Sequence, residues 1–312
     1  MSPPRGFGYS ATSGGRRERP PTDAPLRPTG ARTAPSMSEN RRDALMRNVF
    51  GAPRALIGML HAGALPGTPA ARESVGGLVE QAVAEAERYR DAGFNGLLLE
   101  NMHDRPYLKG AVGPEVTAAM AVIGREVRRR VALPLGIQVL AAANRDSLAV
   151  AHACGAAFVR VEGFVFAHVA DEGLIESDAG ALLRYRRAIG AESVRIFADI
   201  KKKHSAHALT ADVDLAETAR AAEFFLADGV IVTGAATGRA AEPSDVEAAL
   251  AATALPVFVG SGLGPESLPR FVGAQGFIVG SSVKVDGLWS NALDLARVEA
   301  MARAFRALAP VP

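Results

Sequence analysis

The chain has 312 residues, 48% of them hydrophobic, with 35 basic and 33 acidic side chains and a single cysteine. That length suits one large domain or two small ones, and a formal charge of +2 is too weak a field to make nucleic acid the main partner. The one cysteine, Cys154, excludes an intramolecular disulfide framework and a multi-cysteine zinc site.

Residues 1–36 stand apart. They hold six arginines against Glu18 and Asp23, seven of the 19 prolines and almost no aliphatic side chains. Such a segment cannot bury enough apolar area to offset its ordering entropy, so disorder is expected there and a folded domain over 37–312. The segment reads as an extension upstream of a start at Met37, an organelle transit peptide or a basic docking tail. Its prolines spoil the amphipathic helix of a transit peptide, which favours the first reading. That reading makes the protein cytoplasmic, and the transit peptide would make it mitochondrial or plastid. Removing residues 1–36 is expected to leave the melting temperature unchanged, which a thermal melt checks. The long uncharged run 55–71 contains glycine, proline and His61, so no membrane insertion is expected.

From Arg54 onward apolar runs alternate with helical patterns. The runs are ALIGMLH (55–61), GLLLEN (96–101), LGIQVL (135–140), FVRVEG (158–163), VRIFADI (194–200), GVIVTG (229–234), PVFVGSG (256–262) and GFIVGSS (276–282). Near-continuous apolar character marks strands covered on both faces, as in a parallel sheet. Between them, Val75, Leu78, Val79, Ala82, Val83, Ala86 and Tyr89 form a stripe at helical spacing closed by Gly93. Cys154 lies in the helical run AVAHACG as a small buried filler. Pro243 before SDVEAAL and Pro265 after Gly264 sit where proline opens a helix, and a last helix runs from Leu293 through Phe305. Eight strands, each followed by a helix, predict a (β/α)8 TIM barrel of the α/β class. An open doubly wound sheet would show a GxGxxG turn after its first strand, and HAGALPG is not one.

Active sites of such barrels lie at the carboxyl ends of the strands. Those ends supply His61, then Glu100 and Asn101, Gln138, Arg160 and Glu162. Asp199 follows, with Lys201, Lys202, Lys203 and His204 just beyond, and then Thr233, Gly234, Ser261, Ser281 and Ser282. Gly260-Ser261-Gly262 and Gly280-Ser281 end the last two strands, the frequent phosphate site of the fold. Glycines expose successive backbone N–H groups, and a helix N-terminus behind them would add positive potential. Asp199, Lys203, Glu100, His61 and His204 are the catalytic candidates. A lysine turned inward from the run of three is a Schiff-base nucleophile, a general base or an anion clamp, and the spacing leaves open which of the three it is. Glu100 and Asp199 are also a candidate pair for a divalent metal.

Read together, GMLHAGALPGTP, LLLENMHDRP, FVRVEGFVFAHVADEGLIE, FADIKKKHSAHALT, GVIVTGAATG, VFVGSG and IVGSSVKVDGLW resemble the BtpA/SgcQ family from about Ala55 to Phe305. The matching residues include His61, Pro66, Gly67, Glu100, Asn101, Arg160, Asp199, Lys203, His204, Thr233, Gly234, Thr237, Gly238, Gly260, Ser261, Gly262, Gly280 and Ser281. The third strand departs from the pattern. Many members carry an Asn-Val-Leu-Arg-Asn-Asp-like stretch where this chain has Gln138 to Asn144, as in the branch with GIQVL and KKKHS. The resemblance implies a barrel enzyme, or a non-catalytic biogenesis factor for a membrane complex such as photosystem I. The polar mouth favours an enzyme taking a small phosphorylated metabolite, a sugar or nucleoside phosphate, by lyase or isomerase chemistry. FMN is a subordinate ligand of the same phosphate grip. Barrels of this kind often self-associate, so a homo-oligomer is compatible with the pattern.

Overall fold

The structure is a computed structural model that describes residues 37–234 and 241–309. Eight parallel strands close into a barrel in the order β1 (Ala55–His61), β2 (Gly96–Glu100), β3 (Leu135–Gln138), β4 (Phe158–Val161), β7 (Arg195–Ile200), β9 (Gly229–Val232), β10 (Val257–Val259) and β11 (Gly276–Val279), the last pairing with β1. All eight lie within the apolar runs expected to be strands. The helices are α1 (Met37–Phe50), α2 (Val75–Ala92), α3 (Pro114–Arg130), α4 (Asn144–Cys154), α5 (Ala179–Ala188), α6 (Leu215–Phe224), α7 (Pro243–Ala252) and α8 (Leu295–Arg306). Helix α2 starts on Ser74, whose hydroxyl accepts from the Gly77 N–H, and stops at Gly93 in the left-handed region, where glycine carries no Cβ penalty. Between β4 and α5 the chain makes a hairpin, β5 (His168–Ala170) and β6 (Gly173–Ile175), to which β8 (Ser205–Ala206) adds a third strand.

The strand–helix alternation lapses after β10 and is delayed after β11. Only a short 3-10 turn, Leu268–Phe271, follows β10, and two more, Ser281–Val283 and Val285–Gly287, follow β11 before α8. Pro265 does not open an α-helix because Pro269, four residues on, has no N–H to return to the first carbonyl. The last helix begins at Leu295 rather than Leu293, since the Asp294 carboxylate caps the N–H groups of Ala296 and Arg297.

Two apolar layers hold the barrel. The outer one lies between strands and helices, with Leu56, Leu99, Ile137 and Val230 facing Tyr89, Met120 and Leu148. The inner one fills the amino ends of the strands with Phe158, Phe197 and Phe258, plugged from below by Met46 and Phe50 of α1. Ring centroids stand 5.1 Å apart for Phe158–Phe197 and 4.5 Å for Phe197–Phe258, within the range of favourable aromatic pairs. In α1, Leu45, Met46, Val49 and Phe50 recur at helical spacing and provide this plug. Gly276 makes room for the Phe258 ring, because a Cβ there would lie 1.9 Å from it. Gly276→Ala is expected to destabilise the fold by about 1–3 kcal/mol, the usual cost of overpacking, read as a lower urea midpoint.

Candidate active site

With the amino ends plugged, the carboxyl ends enclose a cavity of about 610 Å³. Strand register pairs His61 with Glu100 and Glu100 with Gln138. These three therefore stand shoulder to shoulder across β1, β2 and β3, on the cavity wall.

His61 is buried, and its Nδ1 lies 3.1 Å from the carbonyl oxygen of Trp289. A carbonyl only accepts, so Nδ1 donates, and in the neutral ring Nε2 is left as an acceptor. That nitrogen lies 3.7 Å from Glu100 Oε2. Burial, and next the Lys284 charge, push the His61 pKa down to about 3, while burial raises that of Glu100. The pair thus sets a neutral imidazole beside a carboxyl that burial holds above its ordinary range, two proton-transfer groups within reach of one ligand.

Arg160 and Asp199 form a two-pronged ion pair. Nε lies 3.1 and 3.2 Å from the two carboxylate oxygens, and Nη2 lies 3.0 Å from Oδ2. Burial pushes the Asp199 carboxyl up and the guanidinium pulls against it. Proton transfer at Asp199 has to break into that pair, which makes the carboxylate a fixed charge and leaves Glu100 and His61 the better-placed acid–base groups. The three consecutive lysines separate. Lys201 Nζ donates to the Thr210 carbonyl, and Lys202 Nζ lies 3.1 Å from Glu162 Oε1. Lys203 reaches the cavity, and its amine makes no hydrogen bond or ion pair with any described residue. Burial and the Arg160 charge lower its pKa.

Across the mouth, Gly260, Ser261, Gly262, Gly280, Ser281 and Ser282 line the same cavity. The backbone N–H groups of Gly262, Leu263, Ser281 and Ser282 find no acceptor among the described residues. The expected helix N-terminus behind these loops is absent, because both are followed by 3-10 turns. Any anion there would rest on those amides and on the Ser281 and Ser282 hydroxyls instead. Lys284 anchors the Ser281–Val283 turn from behind, its buried Nζ 3.2 Å from both carboxylate oxygens of Glu85 on α2.

Three predicted pocket residues lie behind the wall. Asn101 bonds the Asp104 carboxylate and the Leu140 N–H, Thr233 Oγ1 accepts from the Lys203 N–H at 3.0 Å, and the Gly234 N–H donates to Ser261 Oγ at 2.7 Å. Short polar side chains at strand ends satisfy loop backbone groups, so these three position their neighbours rather than meet a ligand. His204 lines the mouth, while Thr237 and Gly238 lie outside the described residues. The carboxylates do not form a ready metal site. Both Asp199 oxygens accept from Arg160, and among the described residues no three His, Cys, Asp or Glu side chains cluster as ligands.

Sequence reasoning missed Trp289, Tyr107 and Arg105, and Asp171 and Glu172 at the hairpin tip, all of which line the cavity. Arg105 lies over the Trp289 ring at 5.1 Å. All five sit in or beside the quoted stretches LLLENMHDRP, FVRVEGFVFAHVADEGLIE and IVGSSVKVDGLW.

The fold has solved counterparts. A thiamine phosphate pyrophosphorylase from Pyrococcus furiosus superposes with a TM-score of 0.51 at 14% identity, covering 85% of this chain and 97% of that one. A geranylgeranylglyceryl phosphate synthase from Thermoplasma acidophilum gives 0.53 at 14%, covering 87% and 98%. An uncharacterised mitochondrial protein of Caenorhabditis elegans is 46% identical over 261 residues, 81% of this chain and 94% of its own length. The photosystem I biogenesis protein BtpA of Synechocystis is 36% identical over 257 residues, 82% and 89% of the two chains. Among the described residues no helix is long and apolar enough to cross a membrane. With residues 52–307 matching the family as a whole, the chain belongs to the BtpA family.

Proposed function

We propose that this chain is an enzyme acting on a small phosphorylated metabolite, a sugar or nucleoside phosphate, by lyase or isomerase chemistry. The observation that carries the reading is the division of one cavity into two chemistries. The amides of Gly262, Leu263, Ser281 and Ser282 and the hydroxyls of Ser281 and Ser282 offer donors to a phosphate. On β1 and β2, the neutral His61 imidazole and the Glu100 carboxyl move a proton on the same ligand. Gly280 keeps the space between the halves open, since a Cβ there would press on Met59 at 3.2 Å and on His61 at 3.4 Å. FMN is the subordinate ligand, its phosphate suiting the same loops. A non-catalytic biogenesis factor, the reading that the name of the Synechocystis relative suggests, needs neither the buried acid–base pair nor the unpaired amides.

Thermal shift with inorganic phosphate, pentose and hexose phosphates, nucleoside monophosphates and FMN, each with and without magnesium, tests this. Binding to the folded state stabilises by about 2.7 kcal/mol at a hundred times Kd, so one phosphorylated class is expected to raise the melt selectively. Ser281→Asp, which sets a carboxylate against the phosphate, is expected to raise that Kd more than about tenfold, or about 1.4 kcal/mol. An unshifted melt across the panel sinks the phosphate reading and turns the search to a protein partner.

A further inference from the structure

We infer that Lys203 is the nucleophile of a covalent step, forming an imine with a carbonyl group of the phosphorylated ligand. This deepens the reading above by naming a substrate class, a phosphorylated aldehyde or ketone.

The first observation is allocation. The chain has thirty arginines and five lysines, Lys109, Lys201, Lys202, Lys203 and Lys284. Most paired positive charges among the described residues are arginines, as in Arg160 with Asp199 and Arg186 with Asp228. Of the five lysines, Lys202 and Lys284 are fixed by carboxylates and Lys201 by a carbonyl. Lys203 is the lysine that enters the cavity with an amine free of every described partner. A guanidinium keeps its proton in proteins and forms no imine, whereas a desolvated lysine gives up its proton and forms one.

The second observation is surroundings. The backbone N–H of Lys203 is pinned by Thr233, so the side chain starts from a fixed point. It shares the cavity with Glu100 and with the Arg160–Asp199 pair. Burial and Arg160 lower its pKa, so a larger fraction is the neutral amine. The step balances without an oxidant or reductant. The amine lone pair adds to the carbonyl carbon, a C–N bond forms, and the oxygen takes up the proton that nitrogen loses. Nitrogen then expels the hydroxyl, which leaves as water on receiving the Glu100 proton, and a protonated C=N bond remains. An electron sink of this kind is what carbon–carbon cleavage or isomerisation next to the carbonyl requires.

Pyridoxal 5′-phosphate, an aldehyde that carries a phosphate, is the probe. The full-length protein is treated with it near neutral pH, reduced with borohydride and mapped by mass spectrometry, with and without excess inorganic phosphate. Lys203 is expected to be labelled faster than the exposed Lys109, since a lowered pKa leaves more free amine. Phosphate is expected to protect Lys203 alone. Lys203→Arg, which keeps the charge, should retain the phosphate-induced melting shift and lose the adduct. Labelling that favours Lys109 or Lys202 over Lys203 overturns the imine. Selective labelling of Lys203 that phosphate leaves unprotected supports the imine and overturns the phosphate reading.

Discussion

Replacing Arg160 by alanine is expected to cost the fold about 3–5 kcal/mol, the price of leaving a buried carboxylate without its partner. The Arg160 and Asp199 side chains are 6% and 1% exposed, so water at the cavity wall has little access to the orphaned charge. Urea unfolding of Arg160→Ala, Asp199→Asn and the double variant Arg160→Met with Asp199→Leu separates the charge effect from packing. The double variant should recover most of the loss, because well-packed apolar groups replace buried ion pairs at little cost. If Arg160→Ala loses less than about 1 kcal/mol, the cavity hydrates Asp199 and the carboxylate returns as a candidate for proton transfer. The conservative Asp199→Asn then becomes the test of catalysis rather than of the fold.

The second large effect is a dependence of stability on pH through His61. In the folded chain the ring stays neutral down to about pH 3, whereas in the unfolded chain it takes up a proton near its ordinary value of about 6.5. Between those limits the unfolded state binds more protons, so stability falls as pH falls. At 1.36 kcal/mol for each pH unit, about 3 kcal/mol is lost between about pH 6.5 and about pH 4. Glu100, raised by burial, works in the opposite sense, its contribution present at low pH and lost as pH rises. The comparison that isolates the imidazole is His61→Asn, whose amide still donates to the Trp289 carbonyl. Denaturant midpoints from pH 7 to pH 4 should converge for the two proteins as the medium becomes acidic. Parallel curves mean that His61 is protonated as readily in the fold as out of it, and the neutral acceptor at Nε2 is then lost from the mechanism.

The same residues show where a one-dimensional reading stops. Glu100, Arg160 and Asp199 were legible as site candidates because each ends an apolar run, and runs of that kind become barrel strands. Their roles were not legible. Nothing in the spacing of Arg160 and Asp199, 39 residues apart, says that one would clamp the other. Asn101, Thr233 and Gly234 looked the same in the sequence as their cavity-lining neighbours. The next residue along a chain turns to another face, and a strand end offers its side chain either to the cavity or to the loop behind it.

The sequence alone determined the barrel. Apolar runs of the right length, separated by helical stripes and glycine stops, leave buried parallel strands few ways to cover both faces. It also determined that the polar groups gather at one end, since the carboxyl ends of parallel strands all point the same way. Tertiary structure alone decided which group pairs with which. Closure brought His61, Glu100 and Gln138 into register, set Arg160 against Asp199 and drew Lys202 to Glu162. Of three identical consecutive lysines, the fold left Lys203 as the one that enters the cavity without a carboxylate. A run of like side chains carries no record of its surroundings. Burial and the nearest opposite charge set their chemistry, and both exist only once the ring of strands has closed.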